Sequence, residues 1–280
     1  MNIVRGLCAA TIALLQAAPV SAEDLIIPGS GAPERVLGIL AEAFNASHRN
    51  HRVSVPPSTG RAGARRAIEQ NEAVLARTTA RPLGDGQPES GIEFVPFALD
   101  AVVFAVGARV SVHGLTGAQL ADIFSGRLTD WRELGGEPAP IRVVYGEPTE
   151  ASLGAIRQHL ESFRTLEFSA QGKRVYRDFE VLALLDRFGA GIGFAARSNL
   201  PMAKTPLRAI ALDGFDPTPA NVASGRYPMT LRFGLLYKPA RLTPGARAFI
   251  AFVRSEAGRR TIEQGGVVPL APPAQAAHAP

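Results

Sequence analysis

Apolar residues in this chain occur both as short unbroken runs and as sets with helical spacing. The run from Val102 to Val106 is typical of a strand buried on both faces, and Asp100 lies just before it. The helical spacing that follows is carried by Leu115, Leu120, Ile123 and Phe124. Thr116 is placed to cap that helix at its start, and Gly126 follows its last turn. The pattern predicts a buried strand that leads into a second structural unit.

Two strand–turn–helix units are predicted between residues 25 and 71. The first strand, residues 25–28, ends in Gly29-Ser30-Gly31, and Pro33 starts a helix. The second strand, residues 53–55, ends in Ser58-Thr59-Gly60 and is followed by a helix over residues 62–71. Backbone N–H groups at such turns, here at residues 30 to 33 except Pro33, can hold an anion.

A third strand is predicted to break into a hydroxyl-rich loop. The segment 73–83 starts as a strand, and its loop carries Thr78, Thr79 and Arg81. A capped surface loop and a ligand-facing loop both fit this sequence. Since open α/β sheets bind ligands at the carboxyl ends of their strands, we expect the turns of the first two strands to converge on one crevice.

Strands alternating with helices continue to the last helix and indicate an α/β fold. We expect strands at 141–145, 191–195, 207–212 and 231–237, and helices at 152–163, 180–188, 244–255 and 256–264. Residues 271–280 are rich in proline and poor in bulky apolar side chains, so we expect a disordered tail.

Four segments carry a resemblance to a known family. Residues 94–136 contain L-T-x-x-Q-L-x-x-I-F-x-G-x-x-x-x-W, and matching segments follow at 191–200, 224–239 and 248–270. The chain resembles the phosphate-binding-protein-like family of periplasmic solute receptors, the extracytoplasmic components of ABC importers. This resemblance implies a type II periplasmic-binding-protein fold with two lobes, each with a central mixed sheet flanked by helices. Lobe 1 would hold residues 23–103 with 230–270, and lobe 2 residues 104–229.

The resemblance also implies an oxyanion site. The family holds its ligand with the two turns, the loop after the third strand and an R-x-x-x-S-G-T segment, which here is residues 146–152 without the arginine. The implied ligand-binding residues are Ser30, Gly31, Ser58, Thr59, Thr78, Thr79, Arg81, Asp100, Thr149 and Ser152. A carboxylate of Glu147 or Glu150 about 4 Å from the anion would cost about 4 kcal/mol per charge pair. Phosphate would then bind weakly, unless Arg61 or Arg81 replaces the lost guanidinium.

The first 22 residues have the features of a cleavable secretory signal. Arg5 precedes an apolar run, and Val20-Ser21-Ala22 is a small-residue cleavage site, so we expect the mature chain to begin at Glu23 in the periplasm. The only cysteine, Cys8, lies in this segment, which predicts a mature chain without disulfides.

Composition and motifs weigh against several other functions. The formal charge is +5, but no basic run with interleaved aromatic residues indicates nucleic-acid binding. The five histidines have no H-x-x-x-H or H-E-x-x-H spacing, and G-x-S-x-G and P-loop motifs are missing. We therefore expect no enzyme activity, metal or cofactor.

The functional hypothesis is an exported, monomeric receptor for a small molecule, by resemblance phosphate or another oxyanion, that delivers its ligand to an inner-membrane ABC permease. The alternative is a receptor or interaction module for signalling or envelope assembly that keeps the fold and has lost phosphate binding. The altered 146–152 segment is the feature that separates the two hypotheses.

Overall fold

The structure is a computed structural model, and it describes residues 23–80, 91–147, 151–176 and 178–271. The predicted signal segment, nearly all of the predicted tail, and Arg81, Thr149 and Glu150 lie outside the described residues. The α-helices of the described part are α1 (Glu34–Ser47), α2 (Gly60–Glu69), α3 (Gly117–Ser125), α4 (Ala151–His159), α5 (Asp178–Phe188), α6 (Pro219–Ala223), α7 (Pro244–Arg254) and α8 (Glu256–Gln264).

Twelve strands are found in the same residues: β1 (Glu23–Ile26), β2 (His51–Ser54), β3 (Ala76–Ala80), β4 (Glu93–Val106), β5 (Gly114–Leu115), β6 (Arg142–Tyr145), β7 (Lys173–Arg174), β8 (Gly191–Ala196), β9 (Arg208–Ala209), β10 (Ala211–Leu212), β11 (Thr230–Tyr237) and β12 (Val268–Pro269). Short 3-10 helices cover Trp131–Leu134, Glu161–Phe163, Arg197–Met202 and Pro239–Arg241. None of the helices in the described ranges is both long and apolar enough to span a membrane.

The first sheet region combines parallel and antiparallel pairs. β1 pairs with β2 in parallel, and a parallel bridge between Gly29 and Arg77 connects the end of β1 to β3. β11 lies antiparallel between β3 and β4, and β12 pairs with β4 on its other side. β1, β2 and β3 therefore run in the same direction, and the residues that follow β1 lie beside the start of β3.

β4 joins this region to a second one. Its residues 93–101 pair with β11, and residues 102–106 pair with β8 and, at the end, with β9. β8 pairs in parallel with β6, and β6 in parallel with β7. The chain crosses back to the first region beside this point, just before β11. There the Met229 carbonyl accepts a hydrogen bond from Val102 N at 2.9 Å. The two regions thus share a long strand and are both mixed α/β layers.

Aromatic residues pack each region separately. In the first region Phe44 of α1 contacts Phe249 and Phe252 of α7 edge to face, which fixes α1 against the closing helices. In the second region, Phe124 of α3 lies within 6 Å, between ring centroids, of four other phenylalanines: Phe104, Phe163, Phe168 and Phe194. α2 packs on β3, where Ala64 and Ile68 contact Ala76.

The capping prediction for α3 is confirmed. Thr116 accepts a hydrogen bond from Gln119 N, the Gln119 side chain accepts one from Thr116 N, and Gly126 ends the helix with φ of 84°. The bounds predicted for α8 are confirmed as well.

Several predicted elements were wrong in part. Thr78 and Thr79 lie inside β3 rather than in a loop, because their backbone groups pair with Gly234 and Phe233 of β11. The strand predicted over 207–212 is divided into β9 and β10, which pair with different strands. The helix predicted over 152–163 ends at His159, since Leu160 has extended backbone angles.

Candidate functional site

The turns that follow β1 and β2 meet each other and the first residues of β3. Thr59 N donates to Gly29 O at 2.9 Å, and Ser30 N donates to Arg77 O at 3.0 Å. Two of the predicted ligand-binding turns, with Ser30–Gly31 and Ser58–Thr59, and the strand with Thr78 and Thr79 are therefore brought together. They surround the amino-terminal ends of α1 and α2.

Fewer backbone N–H groups in the turn after β1 are left to bind a ligand than the sequence predicted. Ser30 N is paired with Arg77 O, so of residues 30–33 only Gly31 and Ala32 keep N–H groups to which the described residues offer no acceptor. In the second turn Gly60 N donates to Ser58 Oγ at 3.2 Å. The two remaining N–H groups lie just before the start of α1, where the helix dipole favours an anion.

Three buried side-chain atoms lie around the same turn without a hydrogen-bond partner among the described residues. They are Ser30 Oγ, Thr79 Oγ1 and Asn199 Oδ1. Asn199 is joined to the turn because its Nδ2 donates to Gly31 O at 3.1 Å. Since buried hydroxyls are almost always hydrogen-bonded in folded proteins, the Ser30 and Thr79 hydroxyls are candidate ligand donors.

The two threonines of β3 do not share one face. Successive side chains of a strand project to opposite sides, so Thr79 lies on the face of Arg77 and Thr78 on the face of Ala76, which is covered by α2. Ser58 is half-buried and Thr59 is exposed. Thr79 is thus better placed than Thr78 to act together with Ser30.

A buried arginine supports both turns through hydrogen bonds to backbone carbonyls. Arg77 is 0% exposed, and its guanidinium donates to the carbonyls of Ile27, Ser30 and Pro56 at 2.5, 2.8 and 2.7 Å. It also forms an ion pair with Glu34 Oε2 at 3.0 Å. The residue links the carboxyl ends of β1 and β2, so it holds both turns in place.

Asp100 lies where β4 changes its pairing partner from β11 to β8. Its Oδ2 accepts a hydrogen bond from Ser198 N at 2.9 Å. Burial raises the pKa of Asp100 to about 6, although the Ser198 hydrogen bonds and the nearby Arg197 charge act in the opposite direction. Asp100 contacts the segment that carries Asn199, so it supports the site through that segment.

Arg35 of α1 ties the same segment to the first region. Its Nη1 donates to Ser198 O at 3.1 Å and to Gly265 O at 3.2 Å. Together with the bond from Asn199 to Gly31, this contact connects residues after β8 to the turn after β1. The position where the chain crosses between the two regions is therefore in direct contact with the candidate site.

The second region contributes a different set of groups. Ser152 is buried in the first turn of α4, and α4 packs against β4, β8 and β11. Glu147 forms an ion pair with Arg174 of the neighbouring strand β7, with Arg174 Nε 3.5 Å from Glu147 Oε1. The carboxylate that would repel an anion bound beside it thus has a guanidinium next to it.

Sequence reasoning missed Arg77 and Asn199. For Arg77 a signal was available, since an arginine directly after Val74, Leu75 and Ala76 interrupts an apolar strand. Asn199 gave no such signal, because its contact with Gly31 joins residues 168 positions apart. Among the residues that the structure describes, no cluster of His, Cys, Asp and Glu could hold a metal ion.

Several known proteins are similar to this chain in sequence or in structure. The chain is 22% identical over 249 residues to the phosphate-binding protein PstS of Borreliella burgdorferi, which covers 86% of this chain and 88% of that protein. A substrate-binding protein assigned to a phosphate ABC transporter of Clostridium perfringens, solved with bound phosphate, has a TM-score of 0.77 at 24% identity. The match covers 88% of this chain and 99% of the Clostridium perfringens chain.

An ABC-type phosphate transport receptor from Vibrio cholerae has a TM-score of 0.63 at 24% identity, over 87% of this chain and 99% of that one. These likenesses show the α/β fold with a mixed sheet flanked by helices that was expected from the sequence. The model of the family described as PBP superfamily domain matches residues 16–257, which is most of the chain. The chain therefore belongs to the family described as PBP superfamily domain.

Proposed function

We propose that this protein is a receptor that binds phosphate or a related oxyanion at the amino-terminal end of α1. The observation that carries the proposal is the pair of buried hydroxyls, Ser30 Oγ and Thr79 Oγ1, that have no partner among the described residues and lie beside the free N–H groups of Gly31 and Ala32. Hydroxyl and amide donors at a helix start are the groups that a tetrahedral oxyanion needs.

The relatives support the choice of ligand. Those reported above are named as phosphate-binding proteins or as components of phosphate transport. In this chain Gly146 stands where the resemblance places an arginine, and a bidentate arginine contact is among the strongest an anion can receive. We therefore propose that phosphate binds here more weakly than in receptors that keep that arginine.

The wider setting is also part of the proposal. Residues 23–103 with 230–270 form one lobe and residues 104–229 the other, and they close over the ligand around the crossing at Asp100. Residues 1–22 direct export to the periplasm, where the monomeric receptor delivers its ligand to an inner-membrane ABC permease. No catalysis is proposed, because a binding site of neutral donors suffices for this role.

Isothermal titration calorimetry with phosphate and sulfate tests the proposal. Ser30→Ala and Thr79→Val each remove one hydroxyl donor, which contributes about 1 kcal/mol after exchange with water, so each should weaken phosphate binding about fivefold. Ser125→Ala is the matched control, because its hydroxyl is paired with Asp122 O in α3, in the second region. It should leave the affinity unchanged.

Two results would contradict the proposal. One is a folded wild-type protein that gives no heat with phosphate, sulfate or arsenate at millimolar concentration, which would favour the interaction-module hypothesis. The other is phosphate binding that Ser30→Ala and Thr79→Val leave unchanged, which would place the ligand elsewhere on the protein.

A further inference from the structure

The amide side chain of Asn199 brings an unpaired acceptor to the candidate oxyanion site. Asn199 is 3% exposed, and its Nδ2 donates to the carbonyl oxygen of Gly31 at 3.1 Å. Its Oδ1 is buried and has no hydrogen-bond partner among the described residues. Since Gly31 carries one of the N–H groups left for a ligand, the Asn199 amide lies against a residue that would donate to the anion.

The orientation of this amide is fixed by its neighbour. A backbone carbonyl can only accept a hydrogen bond, so the nitrogen of the Asn199 amide faces Gly31 O and its oxygen faces away from that carbonyl. Turning the amide over would place two oxygen atoms against each other and would lose the hydrogen bond. Asn199 Oδ1 therefore offers the site an acceptor and not a donor.

The backbone before Asn199 is held on both sides. Ser198 N donates to Asp100 Oδ2 at 2.9 Å, and Ser198 O accepts a hydrogen bond from Arg35 Nη1 at 3.1 Å. Both backbone groups of Ser198 are thus used, one by β4 and the other by α1. Because the preceding residue is fixed in this way, the Asn199 amide is presented to the turn after β1 in a preorganised position.

The three unpaired groups of the site differ in the hydrogen bonds they can make. The hydroxyls of Ser30 and Thr79 can donate or accept, whereas the amide oxygen of Asn199 can only accept. Sulfate offers acceptors alone, so it would leave Asn199 Oδ1 buried without a partner. Hydrogen phosphate has the same tetrahedral shape and the same charge, and it carries one O–H that can donate. A site built to bind a hydroxyl rejects an analogue that lacks it, because the site's own polar group is then left unpaired.

We propose that Asn199 is a specificity-determining residue of the oxyanion site, and that its Oδ1 accepts a hydrogen bond from a protonated oxyanion. This inference rests on the proposed function and narrows its ligand class. The ligands are oxyanions that keep an O–H group at neutral pH, such as phosphate and arsenate. Sulfate, which has no O–H group at that pH, is selected against.

Calorimetry with phosphate and sulfate, at a pH above the second ionisation of phosphate, tests this preference because the two ligands then have the same charge. The wild type should bind phosphate about tenfold or more tighter than sulfate. Asn199→Leu removes the acceptor and should bring the ratio of the two affinities close to one. Asn221→Leu is the matched control, because it removes an amide whose Nδ2 donates to Asp216 O at 2.8 Å beside α6, and it should leave the ratio unchanged.

The ratio of affinities separates this role from a purely structural one. Loss of the Gly31 contact alone would weaken phosphate and sulfate by the same factor, so Asn199→Leu would keep the wild-type ratio. That result, or a wild type that binds both ligands equally, would overturn this inference and leave the proposed function standing. A folded wild type that binds no oxyanion would overturn both proposals. If Asn199→Leu does not fold, Asn199→Ala answers the same question.

Discussion

Replacing Asp100 by asparagine should change how stability depends on pH. The pKa of Asp100 is raised from its ordinary value of 3.8 to about 6 by burial in the folded protein. Between these values the folded state binds more protons at this group than the unfolded state does. The contribution of Asp100 to stability is therefore fully present below about pH 4 and is lost as the pH rises through 6.

The size of the effect follows from the shift. A difference of about two pKa units corresponds to about 3 kcal/mol, because one unit is about 1.4 kcal/mol. Asparagine does not titrate, and its Oδ1 can still accept the hydrogen bond from Ser198 N. The free energy of unfolding of Asp100→Asn should thus rise relative to wild type by about 3 kcal/mol between about pH 4 and about pH 7.

Urea denaturation of both proteins across this pH range measures the difference. Asp130→Asn is the control, because a hydrogen bond from the Arg132 backbone holds the pKa of the half-buried Asp130 below its ordinary value. Its difference from wild type should not change from about pH 5 to about pH 7. A gap between Asp100→Asn and wild type that stays constant or narrows as the pH rises would refute the reasoning.

Three further predictions concern the turn after β1, the chain crossing and export. Gly29 has a φ of 140°, and Gly29→Ala would put a Cβ 1.9 Å from a backbone oxygen of β3, so it should lower the free energy of unfolding by about 2 kcal/mol or more. Gly38→Ala is the control, because the new Cβ on α1 would meet open space and should not lower the free energy of unfolding. Tyr227→Phe removes a hydrogen bond of 2.8 Å to Val102 O and should cost about 1 to 2 kcal/mol in a thermal melt. The intact mass of exported protein should correspond to cleavage after Ala22, and a retained leader would contradict the proposed export.

Local sequence signals predicted much of the fold. Capping residues and helical spacing determine α3 and α8, because these signals act within a few residues of the element they define. The apolar run 102–106 predicted the last part of β4. Its first half was not predicted as a strand, because residues 93–101 owe their extended form to pairing with β11, more than 120 positions later.

The candidate site was predicted less completely for the same reason. Turn residues such as Ser30 and Ser58 follow strands in the sequence and could be predicted from that position alone. The pairing that places Thr79 inside β3, and the contact of Asn199 with Gly31, depend on residues far apart in the chain. The ion pair between Arg77 and Glu34 could not be derived from spacing, although an arginine inside an apolar strand marks a position that needs a partner.

A crystal structure of the protein with phosphate tests the central claim most directly. The account predicts phosphate oxygens within hydrogen-bond distance of Ser30 Oγ and Thr79 Oγ1, with N–H groups of Gly31 or Ala32 pointing at the ligand from the start of α1. Phosphate bound away from this turn, or Ser30 and Thr79 side chains paired with other protein groups in the complex, would contradict it.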